Sequence, residues 1–539
     1  MIRTKKSILF IFLLVTILFI GCSKEEQNTH SEISDEINKE TEASIDKPSD
    51  ISSNNLKDTD KPITLDALKE AYPDKEVLLW VYNDFLEISP SRNNAVNAAL
   101  VKKGYNFVIF FQQIKEDTYE STINNMITGG NAPDIICASI GEAGKLQGTY
   151  RAIKNDWLQD LSPYLDRKES DVLRESYPEH MWKSFESNGT IYGVNGMLPI
   201  VTDYVYFVNK DIADKYHIAL SELKELKPTE LGNILEKVYQ GENAEEFSTF
   251  VCGDSKYTGN YSTVFDPFNN VCEPVVIDNR LLNPKAVNLF TEKDQIDYFI
   301  ALAEYMVKGY LHIENEKSDK KSNQQEVSKK NFFIMLGTDN LFGDRGRDKI
   351  IEIKNKYPMA GNIEIVSYEP SYITKQGNSI TGICRSSEKK DMAFQALCAV
   401  FSDTEISDLI LYGTEGVDYT LKEGKAVPEP GNSFNWYTSL YFGNPIISTP
   451  TVDEPLNKKE IVFEKISQMY APDNLGKYVE LVDISDDMTQ INNIVGEYSG
   501  LYHGELPDVE ATINELNQKL EENNIQNIID EINQRLIEQ

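Results

Sequence analysis

A chain of 539 residues is longer than one hydrophobic core organises, so at least two lobes are expected, and 40% hydrophobic residues suffice to fill them. With 53 basic against 86 acidic residues, a net charge of -33, the surface repels nucleic-acid phosphates and anionic headgroups, so nucleic acid is not expected as a partner.

In chain order, Arg3, Lys5 and Lys6 precede an apolar run over residues 8–20, then Gly21-Cys22 and an abruptly polar sequence. The run is about 13 residues, short of the ~20 that span a bilayer, and the pattern predicts a signal peptide. Gly21-Cys22 resembles a bacterial lipobox, with Phe19 where that motif prefers leucine. The resemblance implies lipidation of Cys22, a lipid-anchored mature chain on the extracellular face of the cell membrane; the alternative is ordinary secretion with Cys22 incidental. Residues 23–62 are rich in Ser, Asn, Glu, Asp and Lys and nearly free of aromatic residues, a composition that buries too little surface to fold. As a disordered tether they reach on the order of 35 Å.

Beyond the tether, α and β patterns alternate. "VLLWVY" at 77–82 reads as a buried strand, 94–103 as a helix, 106–112 as a second strand, 119–127 as a helix and 134–137 as a third strand. This rhythm predicts a mainly parallel sheet covered on both faces. Gly129 and Gly130 follow the helix and precede the strand, with no Gly-Lys-Ser or Gly-Lys-Thr, so they read as a helix C-cap and turn rather than a phosphate loop. In open α/β sheets, ligands bind beyond the carboxyl ends of strands. That rule selects Tyr82, Asn83 and Asp84 after the first strand, and Ser139 and Glu142 after the third.

Cys137, Cys252, Cys272, Cys384 and Cys398 have no metal-ligand spacing. An outside compartment permits a disulfide, for which Cys252 with Cys272 is the one pairing considered, while Cys137, Cys384 and Cys398 read as small core residues. At the end of the chain, Ile525, Ile528, Ile529, Ile532 and Leu536 recur at helical spacing and form a stripe expected to pack on the body.

"MITGGNAPDII" followed by "LQDLSPYLD", and then "NGTIYGVNGMLPIVTDYVYFVNKDIADKY", resemble the signatures of the family-one extracellular solute-binding lipoproteins of ABC importers, the group to which maltose-binding protein is related. "KAVNLFTEKDQIDYFIALAEYMVKGYLHIE", "SEKKDMAFQALCAVFSDTEISDLILYGTEGVDYTLKEGK" and the end from about residue 498 resemble a large Gram-positive sub-group. Asn195 stands where these proteins usually carry proline.

The resemblance implies an α/β, two-lobed, periplasmic-binding-protein-like (type II) fold with a cleft that closes on a solute. By analogy lobe one spans 63–200 and 378–430, and lobe two 201–377 and 431–539. Candidate contacts at the crossover are Asn195, Thr202, Asp203 and Tyr204. Candidates in loops of the second lobe are Asp339, Asn340 and Phe342 in "LGTDNLFGD" and Trp436 in "GNSFNWYTS".

The implied partners are a small-molecule solute and the membrane subunits of an ABC importer, for a monomer without cofactor or metal. A carbohydrate, as an oligosaccharide or sugar derivative, is what the resemblance favours; a peptide or cationic solute stays open. The alternatives are a ligand-sensing protein for a receptor or sensor kinase and, less favoured, a surface carbohydrate-active enzyme. His30, His180, His217, His312 and His503 stand alone, and neither His-Glu-x-x-His nor Gly-x-Ser-x-Gly occurs. Among 86 acidic residues a carboxylate pair of glycosidase type discriminates nothing.

Overall fold

The apolar run at 77–82 lies within the strand Glu76–Asn83, an interior member of a four-stranded sheet ordered Ile380–Ile383, Ile135–Ala138, Glu76–Asn83, Phe107–Ile114. Glu76–Asn83 is parallel to both neighbours, and Ile380–Ile383 runs antiparallel to Ile135–Ala138. The helix expected at 94–103 begins earlier, at Pro90, and ends at Lys102. Ser89 caps it through the Arg92 N–H, and Pro90 occupies the first turn, where its missing N–H costs nothing. The helix Tyr119–Thr128 ends as read: Gly130 takes φ +78°, with Asn131 N–H donating to Met126 O at 2.9 Å and Gly130 N–H to Ile127 O at 3.3 Å.

The computed structural model describes residues 63–537 apart from 85–86, 139–147, 197–201, 254–264, 268–273, 281–282, 315–328, 341–343, 369–379, 433, 435, 453, 470, 472–474, 476, 478 and 480. Cys22 with the signal segment, the tether, Cys272, Ser139, Glu142 and Phe342 lie outside the described residues. Among the described residues no helix is long and apolar enough to cross a membrane.

A second sheet has five strands, ordered Leu311–Glu314, Phe247–Gly253, Asn331–Asn340, Thr202–Asn209, Ile363–Ser367. The first three are mutually parallel, and Thr202–Asn209 is antiparallel to both of its neighbours. A small antiparallel sheet, Lys285–Asn288, Val275–Asp278 and Phe265–Pro267, joins it on one side. The core shared by the larger sheet and the small one takes in the helices Lys293–Val307, Ser485–Gly496, Val509–Glu522 and Ile525–Ile537. Ile525, Ile528, Ile529, Ile532 and Leu536 are all buried in it, as their spacing predicts.

The two cores do not divide at 430. Leu440, Tyr441, Phe442, Ile446, Val462, Ile466, Met469 and Leu475 are buried with Trp80, Tyr82 and Phe111 in the core of lobe one, whereas Val479 and Leu481 belong to lobe two. Phe442 is the reason: its ring lies 5.0 Å from Tyr82, 5.1 Å from Phe111 and 5.5 Å from Trp80. Packing of this kind is long-range, and no local pattern in 431–475 announces it.

Cys137, Cys384 and Cys398 are buried small residues, and burial pushes the Cys137 and Cys398 thiols up to about 12. Cys252 is buried within Phe247–Gly253.

Candidate functional site

Strand direction locates the place where the lobes meet. Val194 pairs with Thr381 in lobe one, and eight positions later Thr202 begins a strand of lobe two that runs opposite to its neighbours. A strand entering from the carboxyl edge of a parallel set must run backwards through it. The return obeys the same logic, since Ile363–Ser367 runs up to that edge and Ile380–Ile383 enters lobe one antiparallel, with Ile380 opposite Ala138, the last residue of its strand. From Gly196 to Thr202 the chain reaches roughly 20 Å at most. Both crossings therefore join the carboxyl edges of the two sheets, where α/β folds bind ligands.

On the lobe-two side of this edge the structure brings together five of the sequence candidates. Asn340 lies opposite Thr202, Asp339 opposite Asp203 and Thr338 opposite Tyr204 in one antiparallel ladder. Asp339 and Asn340 were expected in a loop; they are the last residues of the strand Asn331–Asn340. The continuous apolar run "FFIML", buried throughout, leads in register into Gly337, where a Cβ would stand 2.6 Å from the Phe207 ring. Asp203 and Asp339 occupy directly opposed positions of this ladder. Asp339 is 8% exposed and Tyr204 is buried. Next to them Tyr368 stacks on Tyr206 with centroids 4.2 Å apart, and the Tyr368 N–H donates to Tyr204 O at 3.4 Å.

On the lobe-one side the candidates are differently placed. Tyr82, Asn83 and Asn195 were chosen as solute contacts, yet all three are buried, Asn195 completely. The segment 438–443 covers them. Tyr441 donates its hydroxyl proton to Asn83 Oδ1 at 2.7 Å, the Gly196 N–H donates to Ser439 O at 3.1 Å, and the Tyr82 ring meets Phe442 edge-on. Burial pushes the Tyr82 phenol up to about 12. Thr381 Oγ1 lies 3.1 Å from Tyr441 O and 3.2 Å from Cys137 Sγ, so the root of the second crossing is held by the same segment. Bare backbone makes the fit possible, since a Cβ on Gly196 would stand 1.7 Å from Gly443 O.

Asp84 is exposed and accepts the Glu116 N–H at 2.7 Å, which fixes the turn Glu116–Thr118. Trp436 opens the short helix Trp436–Leu440, whose Leu440 lies in the core of lobe one; it was expected on lobe two. Tyr441, Ser439 and Thr381 were not singled out from sequence, and the aromatic pair Tyr441-Phe442 ahead of Gly443 was the available signal. Among the described residues no group of three His, Cys, Asp or Glu side chains is placed to hold a metal ion.

A domain of unknown function, DUF3502, matches residues 480–538. No curated protein matches the chain in sequence. Among solved structures, the chain is similar to the N-glycan transport solute binding protein of Streptococcus pneumoniae at 17% identity and TM-score 0.63, over 86% of this chain and 99% of that one. The same protein in complex with Man1GlcNAc matches at 18% identity and TM-score 0.54, over 86% and 99%. An HMO binding, ABC-transporter associated solute binding protein of Bifidobacterium longum infantis matches at 13% identity and TM-score 0.50, over 86% and 98%. The fold is thus the α/β, two-lobed fold of ABC solute-binding proteins, as the sequence resemblance implied.

Proposed function

We propose that this chain is a non-enzymatic solute-binding protein that captures an oligosaccharide or sugar derivative between its lobes and delivers it to an ABC importer. The observation that carries the reading is the pair of crossings between carboxyl edges, which leaves a cleft hinged by two connections and bordered on lobe two by the polar ladder 202–204 and 338–340. Carboxylate and amide side chains at such positions suit sugar hydroxyls, which donate and accept together. The relatives that bind glycans support the same solute class. Gly21-Cys22 after an apolar run supports anchoring through lipidated Cys22, with the body held off the membrane by residues 23–62.

The test is a thermal-shift screen of oligosaccharides, in which a ligand at 100 times its dissociation constant stabilises by about 2.7 kcal/mol. A stabilising sugar is expected to reduce the radius of gyration in solution scattering and to be recovered chemically unchanged. Turnover of the bound sugar would make the protein an enzyme, and tight binding with an unchanged scattering curve would rule out closure. For the anchor, Cys22→Ala is expected to move the folded protein from the membrane fraction to the soluble one. Retention in the membrane fraction would refute lipidation.

A further inference from the structure

The strand Lys285–Asn288 ends the small sheet of lobe two, paired on one side with Val275–Asp278. Its other side is an edge, and an open edge is a template for strand addition. In an antiparallel pair, successive residues alternate between the partner and the outside. Leu289 N–H donates to Pro274 O at 2.8 Å on the partner side, so Ala286 and Asn288 present their backbone groups outward; Asn288 O accepts from Thr291 Oγ1 at 2.8 Å, and Phe290 lies in the turn Leu289–Thr291 that follows the strand.

This edge is met by asparagine side chains from the two last helices. The Ala286 N–H donates to Asn533 Oδ1 at 2.8 Å, and Asn533 Nδ2 donates back to Ala286 O at 3.0 Å. Asn517 Nδ2 donates to Phe290 O at 3.0 Å, while its Oδ1 accepts from Asn288 Nδ2 at 2.9 Å. A side-chain amide carries the same donor and acceptor as a peptide group, so Asn533 stands where a residue of a fourth strand would stand.

Lobe one repeats the device independently. Phe107–Ile114 is an edge strand of its sheet, and Asn97, fully buried on the helix Pro90–Lys102, accepts the Ile109 N–H at 2.7 Å and donates to Ile109 O at 2.9 Å. Hydrophobic docking alone asks for no asparagine at such positions. In residues 480–538 the apolar stripe supplies the attachment, Asn533 supplies edge pairing and Asn517 holds the strand's end.

We infer that the C-terminal unit of unassigned function, residues 480–538, is the edge guard of lobe two: Asn533 occupies the backbone pairing groups of Ala286, Asn517 holds the strand's end through the Asn288 side chain and Phe290 O, and together they prevent edge-to-edge association with a second copy of this chain. This holds whichever solute the cleft takes.

The test uses the full chain. Asn533→Leu is expected to speed hydrogen exchange of the Ala286 amide by about tenfold or more relative to the amides of Val275–Asp278. It is also expected to give concentration-dependent dimers in sedimentation velocity. Ile513→Val, which removes one buried methylene on the same unit, is expected to lower the unfolding midpoint with neither effect. Asn533→Asp, nearly isosteric, keeps an acceptor for Ala286 N–H but opposes Ala286 O, and serves if the leucine variant does not fold. It should also expose the edge. Unchanged Ala286 exchange, or faster exchange in a chain that stays monomeric at every concentration, overturns the inference.

Discussion

The carboxyl edges of the two sheets occupy equivalent places in their lobes and are finished in opposite ways. In lobe one the edge is sealed: residues 438–443 cover Tyr82 and Asn83, and the crossing begins at a fully buried Asn195. In lobe two the edge ends in a backbone ladder of polar positions, Thr202, Asp203, Thr338, Asp339 and Asn340, in which Asp339 is buried and Thr338 half-buried. A strand end marks where a site can be, but a distant segment decides whether it is open. The edge covered by the aromatic segment should therefore answer to mutation with stability, and the polar ladder with affinity.

The largest effect is expected at Gly196. Alanine there places a methyl 1.7 Å from Gly443 O, against backbone rather than a side chain that can turn aside. Gly196→Ala should lose more than ~3 kcal/mol of unfolding free energy, read from urea denaturation. A midpoint near that of the parent would mean that the segment 438–443 is not clamped onto the crossing.

The chain just beyond the sealing segment is anchored at Asp408, which accepts from Thr449 N–H at 2.9 Å and Thr449 Oγ1 at 2.6 Å. Burial pushes its carboxyl up to about 6, against an ordinary value of 3.8, with nearby Lys458 opposing the shift. A raised carboxyl pKa means the folded state holds the proton more tightly. Its contribution to stability is complete below about pH 4 and is lost as pH rises through about 6. On the order of 2–3 kcal/mol of pH dependence should therefore disappear in Asp408→Asn. Unfolding midpoints of parent and variant across that window decide it, and two parallel curves would contradict the assignment.

Tyr441→Phe is the milder probe of the seal. It removes one buried donor from Asn83 Oδ1 and leaves the ring packing in place, so a loss of about 1–2 kcal/mol is expected with solute affinity almost unchanged. If instead affinity drops while stability holds, Asn83 faces the solute in the working protein and the contrast between the edges collapses.

Much of this architecture was legible in the sequence because its signals are local. The run "VLLWVY", the glycine pair after 119–128 and the isoleucine stripe of 525–536 each state their structure within a dozen residues. The start of the helix Pro90–Lys102 was equally local, in Ser89-Pro90, but was passed over. What was not legible depended on partners far along the chain. Tyr82 and Asn83 read as strand-end residues, and Tyr441 and Phe442, more than 350 positions away, pack over them and make them interior. Asp339 was misread as a loop residue because turn-forming Gly337 and Asn340 flank it, while pairing with 202–209 carries the strand through both.

The smallest effect, and the one that bears most directly on function, is expected at Asp339. It is buried at the polar edge, one residue from the end of its strand and opposite position 203. Asparagine keeps the shape and one acceptor but gives up the charge that strengthens a hydrogen bond from a sugar hydroxyl. Asp339→Asn should weaken oligosaccharide binding about tenfold, equivalent to ~1.4 kcal/mol. Stability should change by less than about 1 kcal/mol, because the substitution keeps the size of the side chain and one acceptor oxygen. Calorimetric affinity paired with a denaturant midpoint separates the two. A variant that binds sugar as tightly as its parent would remove this ladder from the site, and one that unfolds early would show the carboxylate to be structural, as at the sealed edge.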